Sequence, residues 1–148
     1  MLGIDYGARR IGLALSDASA TLASPWRAVE RPPSERATLD LLVSEIESLV
    51  AADEGLDAVV VGWPRRLDGS PTHQTSIVET LARALEARIH LPVVLQDERL
   101  SSHEAESRLA RREPDWRKRR ARLDTAAAAV ILQDYLDSRM RPADESPA

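Results

Sequence analysis

Leu2-Gly3-Ile4-Asp5-Tyr6-Gly7 is a short apolar run with one carboxylate set inside it and a glycine to close it. Leu2 and Ile4 mark a buried strand, and Asp5 falls where that strand would end. An isolated ionised acid is costly to desolvate without a cation or hydrogen-bond donors. Asp5 is therefore ion-paired, held by turn amides, or a metal ligand. On residue type and position alone the structural role comes first. The rest of the chain decides whether it stays first.

Working outward, Gly7-Ala8-Arg9-Arg10 reads as a tight turn, and Ile11-Gly12-Leu13-Ala14-Leu15-Ser16 as a second strand of apolar and small residues. After the turn Asp17-Ala18-Ser19-Ala20, residues Thr21 to Glu30 form a third strand. Pro25 interrupts it, which favours a sheet edge or a bulge. The short loops predict an antiparallel meander. Ser34 then caps an amphipathic helix to about Asp53, with Leu39, Leu42, Val43, Ile46, Leu49 and Val50 at three- and four-residue spacing. Asp57 to Gly62 and Leu91 to Gln96 are continuous apolar runs, as in strands covered on both faces. Between them lie a loop (Trp63 to Thr72) and a helix carrying Ile77, Val78, Leu81, Leu85 and Ile89. A third helix follows Ser101 or Ser102 and stops at Pro114. Trp116 to Arg120 is an exposed basic loop or the entry to a last helix, which runs roughly from Ala121 to Arg139. Right-handed crossovers make the later strands parallel to the first. The expected fold is α/β, a five-stranded mixed sheet with three antiparallel strands, then two parallel ones, and helices on both faces. Residues 1–139 form one domain, and 140–148 read as a disordered tail.

The 148 residues suffice for one domain with a real core, and 43% are hydrophobic. The absence of cysteine excludes disulfides, thiolate metal sites and thiol nucleophiles. No run reaches the ~20 apolar residues of a membrane helix, and the N-terminus does not read as a signal segment. A soluble cytoplasmic protein with no membrane partner is expected. The net charge of −4 does not by itself suggest nucleic acid. Its distribution is more informative. Eight basic residues and two acids lie between Arg108 and Arg122, so the remainder of the chain carries −10. Such a segment is either a phosphate contact or a solvated arginine-rich face, and alone it favours the latter.

In open α/β sheets, functional groups gather beyond the carboxyl ends of the parallel strands. Asp5 lies near one such end, and Glu98 follows another by two residues. Asp124 lies near the start of the last helix, on the face that also carries Ala127, Ala128 and Ile131. Small alanines let that face approach the sheet and bring Asp124 to the same edge. Three converging acids repel one another and raise each other's pKa. Mg²⁺ or Mn²⁺ resolves the repulsion, since both prefer carboxylate oxygens. Two such ions can activate a water and stabilise a leaving oxygen in phosphodiester cleavage. Asp5, on the most rigid element, is then the bridging ligand.

The stretches Gly3-Ile4-Asp5-Tyr6-Gly7-Ala8-Arg9-Arg10-Ile11-Gly12-Leu13-Ala14, Val61-Gly62-Trp63-Pro64 with Asp68-Gly69, Asp97-Glu98-Arg99-Leu100-Ser101-Ser102, and Asp124-Thr125-Ala126-Ala127-Ala128 through Ile131-Leu132-Gln133 together resemble the YqgF (RuvX) family. The resemblance spans nearly the whole chain. It implies an RNase H-like fold related to RuvC resolvases. It also implies a nuclease, either a Holliday junction resolvase or the enzyme that matures the 5′ end of pre-16S ribosomal RNA. Asp5, Glu98 and Asp124 fall on the family's acidic positions, as catalytic and metal-binding residues. The last helix is arginine-rich where the family is typically lysine-rich, which keeps the charge.

The remaining candidates follow from position. Arg9 and Arg10, in the turn beside Asp5, either hold a phosphate or pair with acids. Arg117, Lys118, Arg119, Arg120 and Arg122, just ahead of Asp124, are the best candidates for gripping a nucleic-acid backbone. Asp97 should point away from Glu98 and pair with Arg99. Asp68-Gly69 is a turn signal and also a possible substrate-side acid. Trp63 and Trp116 favour packing over base stacking, and the three histidines favour the surface. The partners expected are structured RNA or branched DNA, with pre-ribosomal particles as a further candidate. Either a monomer or a homodimer is compatible, with the dimer required for paired cuts in a junction. A non-catalytic ribosome-assembly factor is a further alternative. A sugar kinase or ATPase is disfavoured, because it needs two such lobes around its nucleotide.

Overall fold

The first three strands pair as an antiparallel meander: β1 (Leu2–Tyr6), β2 (Arg10–Ser16) and β3 (Ala23–Glu30). These coordinates belong to a computed structural model describing residues 1–66, 68–98 and 116–139, with only the backbone course for 116–122. The β1–β2 turn closes through the Gly7 N–H donating to the Arg10 carbonyl at 3.0 Å. A Cβ at Gly7 would lie 2.6 Å from that same oxygen, so the turn needs glycine. In the β1–β2 register Asp5 faces Gly12. Between β2 and β3 the register slips, with Leu13 opposite Arg27 but Ala14 opposite Pro25. Trp26 is the extra residue, and β3 is the sheet edge. Pro25, lacking an N–H, is thus both at a bulge and at an edge, as its chemistry requires.

α1 (Glu35–Ala51) starts where the Ser34 hydroxyl accepts from the Ala37 N–H at 3.1 Å. β4 (Val59–Trp63) lies parallel to β1, and β5 (Val93–Asp97) parallel to β4. Between them, α2 (His73–Ile89) opens with a reciprocal Thr72–Thr75 capping box. α3 (Trp116–Arg139) completes the described elements. The sheet order is β3-β2-β1-β4-β5.

Strand alternation sorts the core into two layers. Leu2, Ile4, Tyr6, Ile11, Leu13, Val59 and Val61 pack with Leu42, Val43 and Ile46 of α1 and with Val78, Leu81 and Leu85 of α2. The opposite face carries Ala14 and Val60 against Ala128, Ile131, Leu132 and Leu136 of α3. Ile46 is fully buried in the first layer. Ile46→Ala should lower the free energy of unfolding by about 2–5 kcal/mol in urea titrations.

α3 crosses the sheet from the carboxyl edge of β1 to its amino edge. The Asp124 backbone sits over Gly12, Ala128 and Leu132 sit over Gly3, and the Arg139 guanidinium reaches the Met1 sulfur at 3.5 Å. Gln133 fixes this course, accepting from the Ala23 N–H at 2.9 Å and donating to the Thr21 carbonyl at 3.0 Å. The helix starts earlier than the expected Ala121, so the basic run from Trp116 is helical. The helix expected before Pro114 and the tail at 140–148 lie outside the described residues. No described helix is long and apolar enough to cross a membrane.

Candidate active site

Three strand glycines decide where α3 can lie, and therefore where its acid lies. A Cβ at Gly3 would come within 2.8 Å of the Leu132 Cβ and 3.0 Å of the Ala128 carbonyl. A Cβ at Gly12 would run into the Asp124 carbonyl, and one at Gly62 into the Glu98 carboxylate and the Ile131 side chain. Ala127 and Ala128 remove bulk from the helix, and the glycines remove it from the sheet. Because Gly12 faces Asp5 across the β1–β2 ladder, a helix seated on Gly12 brings Asp124 beside Asp5. Residues before Asp124 continue toward the carboxyl edge of β1. Eight residues of helix rise about 12 Å, which carries the backbone of Arg117, Lys118, Arg119, Arg120 and Arg122 past the acids.

Glu98 reaches the same place from β5. Its N–H donates to the Trp63 carbonyl at 3.3 Å, extending the parallel pairing one residue past Asp97. Its carboxyl hydrogen-bonds that of Asp5. Burial pushes the Asp5 carboxyl up to about 6, with the Asp124 charge adding to the rise and the Glu98 hydrogen bond opposing it. Burial pushes Glu98 up to about 8, helped by Asp5 and then by Asp97. Both shifts favour the protonated form, so a proton shared by the pair relieves the repulsion between the two carboxyl groups. One Glu98 oxygen, Oε2, is buried with no hydrogen-bond partner among the described residues. A sealed, unpartnered carboxylate oxygen beside two further acids is a costly arrangement for packing alone. An all-oxygen, all-carboxylate donor set is what a hard divalent cation prefers. Asp5 and Glu98 touch, while Asp124 acts on Asp5 through its charge. Among the described residues, no three His, Cys, Asp or Glu side chains are yet drawn around one point as a bound ion would draw them.

The neighbouring candidates separate. Arg9 is exposed and Arg10 half-buried at the β1–β2 turn, and neither joins an ion pair among the described residues. That leaves their charge available at the edge where Asp5 lies. Asp97 pairs with Arg65 at 3.6 Å, and the expected partner Arg99 lies outside the described residues. Asp68 accepts from the Ser70 N–H at 2.9 Å and the Ser70 hydroxyl at 2.6 Å, which makes it a turn residue. Trp63 is half-buried, donates to Glu79 at 3.0 Å and carries the Arg65 guanidinium 4.5 Å over its ring. Sequence reasoning missed Gly12 and Gly62 as site-forming residues. A glycine inside an otherwise apolar strand marks a close approach, and that signal was present at both.

Comparison with known proteins assigns the chain to a family. Residues 1–138 match the family model described as RuvX, Holliday junction resolvase. A Chloroflexus aggregans protein named "Putative pre-16S rRNA nuclease" is 39% identical over 142 residues, covering 96% of each chain. One of the same name from Anaeromyxobacter dehalogenans is 42% identical over 138 residues, covering 93% of this chain and 96% of its own. Among solved structures, Thermus thermophilus RuvC in complex with a Holliday junction substrate superposes with a TM-score of 0.53 at 16% identity, over 94% of both chains. That likeness supports the RNase H-like fold that the family resemblance implied, with the mixed sheet order seen here. With the family model spanning nearly all of it and relatives near 40% identity along its length, the chain is a member of the RuvX family of nucleases.

Proposed function

We propose that the protein is a divalent-metal-dependent nuclease that hydrolyses phosphodiester bonds of structured nucleic acid, in maturation of the 5′ end of pre-16S ribosomal RNA. The observation that carries the reading is the contact of the Asp5 and Glu98 carboxyl groups beside Asp124, with the Glu98 Oε2 buried and without a hydrogen-bond partner among the described residues. The substrate assignment rests on the names of the relatives. Asp5, Glu98 and Asp124 would hold Mg²⁺ or Mn²⁺, with Asp5 between the other two. A cation bound there supplies Lewis-acid stabilisation and a water of lowered pKa. Arg9 and Arg10 flank the site from the β1–β2 turn and hold the scissile phosphate. The basic half of α3 tracks the backbone beyond it.

Cation uptake must expel the proton that Asp5 and Glu98 share. Affinity for Mg²⁺ or Mn²⁺ should therefore rise with pH between about 6 and 8, by up to roughly tenfold per unit, and level off above that. Calorimetric titrations across that range, in buffers of different ionisation enthalpy, would report the released proton. A pH-independent affinity with no proton release would rule out the pair as the cation site.

The family description favours a second reading, resolution of Holliday junctions. It demands two symmetric cuts and hence a dimer with paired sites. The deciding experiment offers wild-type and Asp5→Asn protein matched precursor-RNA and four-way-junction substrates, with each metal in turn. Cleavage of the RNA end by a monomer that leaves junctions intact supports the first reading, and paired junction nicks by a dimer support the second. Cleavage of neither, with retained binding to pre-ribosomal particles, points to an assembly factor.

A further inference from the structure

The loop joining β4 to α2 leaves the sheet at the same edge as Glu98, because Trp63 is the β4 residue paired with Asp97 and bonded to the Glu98 N–H. It is unusually well tied. Arg65 and Pro71 form an isolated antiparallel bridge. The Arg66 N–H donates to the Ser70 carbonyl at 2.9 Å, and the Gly69 N–H returns to the Arg66 carbonyl at 2.8 Å. Gly69 takes φ +87°, which a side chain would resist. At its base the Thr75 hydroxyl, in the first turn of α2, bonds the Pro64 carbonyl. The described residues on either side of position 67 are thus tied to one another and to the first turn of α2.

Its two arginines are used differently. The Arg65 guanidinium lies 4.5 Å over the Trp63 ring, donates to the Gly69 carbonyl at 2.8 Å and pairs with Asp97 at 3.6 Å. Those contacts occupy it as an internal strut. Arg66, the next residue, is exposed and joins no ion pair among the described residues. The nearest acid in the loop, Asp68, is turned inward onto Ser70. A guanidinium on a mount tied in this way loses little entropy when it meets a phosphate. The mount also stands at an edge crowded with acids, where an incoming polyanion needs cationic contacts.

Building on the nuclease reading, we infer that the 64–72 loop is a second arm of the nucleic-acid interface. Arg65 braces it, and Arg66 contacts a backbone phosphate on the β4 side of the acids, across from the basic half of α3. The substrate strand is then gripped on both sides of the scissile bond, and not only by the helix.

The test is the salt dependence of binding, measured by fluorescence anisotropy with labelled precursor RNA and labelled four-way junction, in Ca²⁺. Losing one phosphate contact lowers the slope of log K against log salt by about 0.7–0.9. Arg66→Gln should show that loss with several-fold weaker binding at low salt, and Arg66→Lys should restore the slope. Arg88→Gln, at the far end of α2, should leave it unchanged. An unchanged slope in Arg66→Gln, or an equal fall in Arg88→Gln, overturns the inference. If the wild-type protein binds but cuts neither substrate, the nuclease reading fails while the slopes still judge the loop. If it binds neither, both fail.

Discussion

Asp5→Asn should reduce cleavage by at least about three orders of magnitude, the scale expected when charge stabilisation is lost at the reacting centre. Asn keeps the shape of the side chain and removes the charge that would hold the cation between Glu98 and Asp124. The same substitution should stabilise the metal-free protein near pH 8. The folded-state pKa values of Asp5 and Glu98 are raised, so the folded chain binds more protons than the unfolded one between about pH 4 and pH 8. Stability must then fall as pH rises through that window. Relieving the pair should raise the melting temperature at pH 8 by at least about 2–4 °C, with little change at pH 4. Thermal melts at both pH values, in chelator and then in Mg²⁺, separate the two effects: added metal should stabilise the wild type and not the variant. Full activity in Asp5→Asn would mean the centre lies elsewhere. Loss of activity together with loss of folding at pH 8 would mean Asp5 is structural.

The second large effect is expected at Gly12. A methyl group there meets the backbone carbonyl of Asp124, not the end of a flexible side chain. The helix itself must move. Overpacking of this kind typically costs about 1–3 kcal/mol, and a shift of about 1 Å at a catalytic group can cost a hundredfold in rate. Gly12→Ala should therefore lose both stability in urea titrations and about two orders of magnitude in cleavage, although it adds no charge and removes none. Gly55→Ala makes a useful contrast. Its Cβ would meet nothing within 4 Å, and its strain is only that of φ +67°. It should cost some stability and leave cleavage intact. If Gly12→Ala proved fully active, α3 could not be seated as its contacts with Gly3 and Gly12 place it.

The outline of this fold is legible in residue order because its determinants are local. Alternation in Leu2–Tyr6, the Ser34 cap and the spacing of Leu42, Val43 and Ile46 each decide a neighbouring stretch of backbone. Pro25 even announces the bulge beside it. The approach of Glu98 and Asp124 to Asp5 was legible through topology and the family resemblance and not through any local spacing, since the three lie far apart in the chain. Reasoning from helix periodicity found the small residues on α3 but not their counterparts on the sheet. Gly3, Gly12 and Gly62 act through what they leave empty, and an empty volume has meaning only once the opposing element is known. The pairing of Asp97 was harder still. Arg65 comes from a neighbouring strand's loop, and no spacing rule connects the two. The start of α3 at Trp116 was ambiguous for a different reason. Arg117 to Arg120 are good helix formers, yet they have no apolar periodicity to reveal the helix.

The placement of α3 has a consequence for how the protein comes to exist in a cell. Synthesis delivers the chain from its N-terminus, so β1 and Asp5 emerge before α3. Until residues up to about 139 have left the exit tunnel, the face bearing Gly3, Gly12 and Gly62 has no helix to cover it, and Asp124 is not beside Asp5. A nascent polypeptide whose Asp5 still lacks Asp124 has an incomplete acidic cluster, so its charge and its helix seat are completed in one step.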